Sequence, residues 1–534
     1  MPVELTGRPA SEGIFAGPLV RLSVTKRLAR EAGSPEEEKE ALEAAIAQAV
    51  VDLSVLLESR SEAASELLTF QIAMLEDDSL KVPALEAIAA GTAADQAWRE
   101  ALEKEAAGYA ASEDEYFRAR SADIQDIAAR VLRVLSGETA DEMIGGAVVL
   151  AEDLAPSAFI AADWSAGGAI ALVAGSPSSH VAMLARAQGI PMVVGLRVPP
   201  PGDARHAIVD GGAGQVLFDP DSRTSANYAR RSEEHRLAKM REATFLPMPA
   251  MLASGERIEV LINVAGLDNL DRVDHRHCDG IGLMRSEFLF HAGAKLPDEE
   301  QQYNAYRRFV QWANGKPVVI RTLDAGGDKP IAGLTPEGEK NPFLGLRGVR
   351  LTLSRPDVFA VQLRALARAA KHGNLRIMIP MVTVASELEE TRALLERCVA
   401  ELESLGVSCS RPPLGIMVEV PAVAIAPEPF SNAAFFSIGS NDLTQYVTAA
   451  SRDEASVASL GDGGHPAVLK LISEVVRFGR ETNMPVSICG DMAGDTRHLP
   501  MLIDAGVRTL SVAPSRLAAV KSALANISVQ GGYR

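Results

Sequence analysis

The 534-residue sequence has little of what staples small domains or marks a membrane span. Its four cysteines, Cys278, Cys398, Cys409 and Cys489, are widely spaced with no C-x-x-C pair, which argues against a disulfide framework or a thiolate zinc site. No stretch is long and apolar enough to span a bilayer, and the N-terminal MPVELTGRPASEGIFAGPLV lacks a basic n-region and an apolar h-region. A cytoplasmic protein without membrane insertion is expected. Aromatic residues make up only 5%, so Ala, Val, Leu and Ile carry the apolar weight, which suits helices and buried parallel strands. Positive charge is short as well: 53 Lys and Arg against 70 Asp and Glu give a net charge of −17. That balance carries no global footprint for nucleic acid or an anionic membrane. An anionic substrate is compatible with it where basic groups gather at one site.

What is present divides the chain into regimes. A hydrophobic fraction of 47% in a chain of this length predicts two to four well-packed domains. Residues 1–22 read as short strands and turns. From Pro35 and an acidic first turn, apolar residues recur at helical spacing (Leu42, Ile46, Leu53, Leu56, Leu57), and similar patterns follow in 62–77, 84–106 and 114–136. Between 145 and 220, short apolar runs alternate with Gly and Pro, as in GGAIALVAG and HAIVDGGAGQVLFDP, the pattern of a compact α/β unit. The stretch 228–245 is charged and reads as a solvated connecting helix. After residue 250, eight buried-strand runs, from IEVLIN (258–263) to TLSVA (509–513), alternate with helical segments and predict a (β/α)₈ barrel. The expected division is therefore an α/β domain from 1–22 plus 145–225, a helical insert at 33–140, a linker helix at 226–248, and a barrel at 250–534.

In such a barrel, reactive groups sit just beyond the C-terminal ends of the strands. Arg285, Arg321 with Asp324, Glu419, Asn441 with Asp442, and Cys489 all fall there. Any one of them has a bland alternative: a surface arginine, a barrel-mouth ion pair, an inert buried thiol. Together, guanidinium forks suit carboxylate and phosphate oxygens, and two acids at adjacent strand ends suit a hard cation such as Mg²⁺. Arg452 and, less strongly, Arg347 add candidate positive charge. Far upstream, Ser178-Ser179-His180 precedes a short helical pattern. Either serine can cap that helix and place His180 in its first turn, where unsatisfied N–H groups favour an attached phosphoryl group. His275, His277 and His291 are read as structural or surface residues.

The stretches SSHVAMLARAQGIPMVVG, DGIGLMRSEFLF, RTLDAGGDKP, NPFLGLRGVR, LGIMVEVPA, FFSIGSNDLTQYVTAASR and ICGDMAG resemble the enzyme I family of the phosphoenolpyruvate-dependent sugar phosphotransferase system, over nearly the whole chain. The resemblance implies a swivelling phosphohistidine α/β domain with a helical insert that docks an HPr-like phosphocarrier, followed by a TIM barrel that mediates homodimerisation. It implies that His180 is phosphorylated at Nε2 and that Arg285, Arg321, Arg452 and Asn441, with Asp442, hold phosphoenolpyruvate. It further implies that Glu419 and Asp442 bind Mg²⁺, and that Cys489 protonates the enolate to give pyruvate. Departures from the family pattern are Gly175-Ser176-Pro177-Ser178 ahead of the Ser-His pair, Asp491 where Glu is usual, and Gln71 at a common histidine position. Two other readings carry different consequences. A phosphoenolpyruvate synthase-like dikinase needs an ATP domain for which the 145 or so upstream residues offer no Gly-rich P-loop. A slowly turning regulatory protein is at odds with the intact set of strand-end groups.

Overall fold

A computed structural model describes residues 3–528, except 23–32, 59–61, 111–114, 138–144, 178, 197–199, 268–269, 271–272, 292–295, 328–330, 332, 337, 452–456 and 458–459. The chain forms two compact units, Met1–Leu237 and Ala238–Arg534.

The first unit is built on an eight-stranded sheet in the order β1-β8-β7-β3-β4-β5-β6-β2. Its strands are β1 (Val3–Thr6), β2 (Arg8–Ser11), β3 (Ile14–Arg21), β4 (Val148–Ala151), β5 (Ala169–Leu172), β6 (Met192–Val194), β7 (His206–Asp210) and β8 (Gln215–Phe218). The N-terminal segment lies in this sheet: β3 runs parallel to β4, with Leu19 opposite Val148. β4 and β5 are buried at every position, as strands covered on both faces must be.

The helices between β3 and β4 are α1 (Pro35–Glu58), α2 (Glu62–Glu76), α3 (Asp78–Ala89), α4 (Ala94–Ala110) and α5 (Glu115–Ser136). Ser34 and Glu37 exchange hydrogen bonds at the start of α1, a capping box that satisfies two otherwise orphaned donors. The single helical pattern expected over 84–106 is two helices. Gly91, at φ +97°, takes the left-handed turn between them, and the buried Glu38 carboxylate accepts from the Ala94 N–H at 2.7 Å.

After α6 (Pro156–Ala161) and α7 (His180–Gln188), the connecting helix α8 (Ser222–Phe245) starts earlier than the expected 226 because Asp221 accepts from the Thr224 N–H at 2.7 Å and caps it there. Its first turns belong to the α/β unit: Tyr228 is buried against Ile208 and Leu217, and Arg231 pairs with Asp210 at 2.7 Å.

The second unit is a closed parallel barrel of β9 (Glu259–Val264), β10 (Ile281–Arg285), β11 (Val318–Arg321), β12 (Leu375–Ile379), β13 (Leu414–Val418), β14 (Phe436–Gly439), β15 (Val486–Cys489) and β16 (Thr509–Val512). Helices at Glu299–Trp312, Pro356–Ala370, Ala385–Ser404 and Pro466–Thr482 match to within a residue at each end the helical patterns that the sequence carries over 299–313, 356–371, 386–405 and 466–482. Side chains alternate across each strand. Val318, Ile320, Ile377, Ile416, Val418 and Ile438 pack into the large core beneath the helices, whereas Leu283, Val319, Met378, Met417, Phe435 and Cys489 form a separate cluster lining the interior. The period of two sends Arg321, two residues after Val319, and Glu419, two after Met417, toward that interior. Lys521, buried, donates to the carbonyls of Leu246, Met248 and His277 at 2.7–2.8 Å and ties the entry and exit of the barrel together.

Candidate active site

At the C-terminal ends of β11 and β13, and in the segments that follow β10, β11 and β14, the barrel unit gathers two buried guanidiniums and four buried carboxylates. Arg321 pairs with Glu287 at 2.8 Å and with Asp324 at 3.1 Å, and its Nη1 faces the Met417 sulfur at 3.8 Å. Arg347, with no exposed surface, pairs with Asp324 at 3.0 Å and Asp442 at 3.4 Å. Glu419 accepts from the Met381 N–H at 2.7 Å. Burial disfavours the charge on both arginines, but Glu287 and Asp324 around one, and Asp324 and Asp442 around the other, outweigh it and raise both above the ordinary guanidinium value. Glu419 faces the excess negative charge. Burial first, then Asp442 and Asp324, push its carboxyl up to about 8 against the pull of Arg321 and Arg347.

The glycines of TLDAGGD make room for Arg347. Gly326 has φ +100°, and a Cβ there would lie 2.7 Å from the Arg347 Cβ. Gly490, after β15, has φ +94°, and a Cβ on it would strike the Asn441 Oδ1 at 2.7 Å. Asn441 and Asp491 exchange hydrogen bonds of 2.9 and 3.0 Å across that glycine, at the wall of a cavity of about 270 Å³. Asp491, shorter than the usual Glu, is held by this amide. The Cys489 thiol lies on the inner face, buried, 3.7 Å from the Ser437 hydroxyl and 3.5 Å from the Ile438 carbonyl. Burial raises it to about 11, so it carries its proton at neutral pH.

Among the described residues no three His, Cys, Asp or Glu side chains are arranged as a complete cation cage. Glu419 and Asp442 are nonetheless hard oxygen donors in a cluster with two more carboxylates than guanidiniums. One or two protein carboxylates, the rest of the shell left to water and substrate, is the usual mode for Mg²⁺. The residues fit that ion.

In the first unit, His180 opens α7 (His180–Gln188). Of the two serines that the sequence offered as caps, Ser179 takes the role, accepting from the Ala182 N–H at 3.3 Å; Ser178 lies outside the described residues. The imidazole is about one-quarter exposed, and its Nδ1 stands 3.4 Å from Oδ1 of Asp123, a fully buried side chain on α5. One turn further along α5, Asp126 accepts from the Ser157 N–H and hydroxyl at 2.9 and 2.7 Å and from the Gln71 amide at 2.9 Å. Gln71 is therefore an internal brace, buried among these partners.

The sequence-derived residues are thus placed unevenly. Arg321, Glu419 and Asp442 share the buried cluster, and Cys489 and Asn441 lie at the neighbouring strand ends. Arg285 ends β10 with an exposed side chain. Arg452 lies outside the described residues. Sequence reasoning passed over Glu287, whose signal was an acid two residues beyond a strand-end arginine. It also gave little weight to Arg347, the most deeply buried cation of the cluster, and missed Asp123.

Comparison with known proteins defines the class. The family of PEP-utilising enzymes is matched by its PEP-binding domain over residues 239–529, its mobile domain over 144–214 and its N-terminal domain over 6–120. The chain is 35% identical to the phosphoenolpyruvate-protein phosphotransferase of Geobacillus stearothermophilus over 99% of its own length and 94% of that protein's. It is 36% identical to the multiphosphoryl transfer protein of Xanthomonas campestris over 85% of this chain, spanning 55% of that relative's length. A phosphoenolpyruvate-dependent phosphotransferase system protein of Escherichia coli is also 36% identical, over 85% of this chain and 61% of its own length. The chain belongs to the phosphoenolpyruvate-protein phosphotransferase family. No helix among the described residues is long and apolar enough to cross a membrane.

Proposed function

We propose that this chain takes the phosphoryl group of phosphoenolpyruvate onto Nε2 of His180, releases pyruvate, and passes the group to a histidine of an HPr-like phosphocarrier. The observation that carries the reading is the buried cluster of Arg321, Arg347, Glu419 and Asp442 at the barrel mouth, beside a thiol that keeps its proton. Arg321, with Arg285, Arg452 and Asn441, is suited to hold the substrate's carboxylate and phosphate oxygens through fixed donor forks. Mg²⁺ on Glu419 and Asp442 would neutralise charge on those oxygens. The Nε2 lone pair of His180 attacks phosphorus in line, the bond from phosphorus to the enol oxygen breaks, and that oxygen keeps the electron pair. Cys489 then gives its proton to the terminal carbon of the enolate. Because His180 and the barrel residues belong to different compact units, the reading requires the histidine to visit the barrel mouth to load and to leave it to donate. The protein is read as a cytoplasmic homodimer, paired through the barrel.

The test is incubation with ³²P-phosphoenolpyruvate and Mg²⁺. Acid-labile label is expected on the wild type and none on His180→Ala. Label retained by His180→Ala overturns the assignment, and an HPr-like protein that never accepts label from the loaded chain overturns the second step.

A further inference from the structure

An imidazole that attacks through Nε2 must present a bare lone pair there, so its single neutral-state proton has to sit on Nδ1. Of the described residues in the cap of α7, Ser179 serves the backbone N–H of Ala182. The group that faces Nδ1 is the carboxylate of Asp123, 3.4 Å away and fully buried. A carboxylate only accepts, so it favours the ring form with the proton on the nitrogen facing it. We propose that Asp123 is a positioning residue for the phosphoryl transfer: it holds the proton of His180 on Nδ1 and keeps Nε2 free to react. This rests on the reading of His180 as the phosphoryl acceptor.

The same contact serves the product. When the N–P bond has formed at Nε2, the ring keeps the Nδ1 proton and becomes a cation. No proton passes to or from Asp123 in the step; its negative charge simply lies beside the positive charge that appears. The carboxylate is delivered by the helical insert, and its place is fixed through Asp126, whose three hydrogen bonds to Ser157 and Gln71 seat α5 on the α/β sheet domain.

The experiment uses the full chain with ¹⁵N-labelled histidine and long-range ¹H–¹⁵N correlation at pH 8, with the His180 signals assigned by their loss in His180→Ala. Wild type is expected to show a protonated Nδ1 and a bare Nε2. In Asp123→Asn the bias is lost, because an amide can face the ring with either its donor or its acceptor. In the same variant, loading from ³²P-phosphoenolpyruvate slows by about 10- to 100-fold, the loss typical when the partner that orients a metal-bound histidine is removed. Asp123→Glu restores part of both. A wild-type ring protonated on Nε2 overturns the proposal, as does an Asp123→Asn protein with unchanged tautomer and loading rate. If Asp123→Asn does not fold, the wild-type tautomer and the Asp123→Glu variant decide. The tautomer is read without turnover, so a chain that shows the Nδ1 proton but never takes label refutes the functional reading while the choice of tautomer by Asp123 stands.

Discussion

Replacing Arg347 by Met isolates what the buried cluster costs. The guanidinium has no exposed surface and compensates Asp324 at 3.0 Å and Asp442 at 3.4 Å, so solvent cannot take over its role. Met fills much of the same volume, which leaves the lost charge as the main change. Removing one partner of a buried ion pair typically costs about 3–5 kcal/mol, and here at least two acids lose compensation, so a loss near the middle of that range is expected at pH 8. The sign of its pH dependence follows. Glu419, raised to about 8 while Arg347 pulls it down, is pushed higher still once that pull is lost, so it holds its proton more tightly in the folded state than in the unfolded one. Stability of the variant therefore falls as pH rises, and the deficit is smaller at pH 5.5 than at pH 8. Urea unfolding with chelator present reads this through Trp312, made the sole tryptophan of the chain by Trp98→Phe and Trp164→Phe. With a slope of about 3 kcal/mol/M, the midpoint moves down by roughly 1 M or more. A loss under about 1 kcal/mol, or one equal at both pH values, refutes the argument that Arg347 balances the acids.

Three further outcomes follow from other parts of the barrel unit. Cys489→Ala is expected to fold normally and to release pyruvate about 100-fold or more slowly in a lactate dehydrogenase-coupled assay; since the wild-type thiol is raised to about 11, no titration traceable to it appears between pH 6 and 9. Glu419→Gln weakens Mg²⁺ binding by at least about tenfold in calorimetry. It leaves metal-free stability unchanged or higher, because burial and neighbouring acids already oppose the Glu419 charge. Lys521→Met strips the carbonyls of Leu246, Met248 and His277 of a shared ammonium donor, and a loss of about 2–4 kcal/mol is expected by thermal or urea unfolding.

The barrel was readable in the sequence because its signal is local. Eight apolar runs of strand length, separated by helical periodicity, specify strand number and order, and the period of two within VVIR and IMVEV already points Arg321 and Glu419 to one face. Residues whose importance comes from packing gave no such signal. Glu287 and Arg347 follow their strands at irregular distances and are brought to the cluster by turns whose path depends on Gly326 and on tertiary contacts. Asp123 looks like one more polar residue on a helix until the sheet places it beside His180. The break between α3 and α4 was written in Gly91, but apolar residues on either side kept the helical period and concealed it.

The pairing of β3 with β4 has a consequence for the architecture of the first unit. The chain departs at Arg21 and comes back at Val148, yet Arg21 lies opposite Leu150, so the two points are separated by roughly 10 Å. A gap that small is normally closed by one crossover helix. The block from α1 to α5 is thus a module clipped into a slot that a much shorter segment can fill. The inserted block nevertheless shares one continuous hydrophobic core with Val181, Ala182, Leu184 and Ala185 of α7, so the same module that aims the histidine also roofs the helix that carries it.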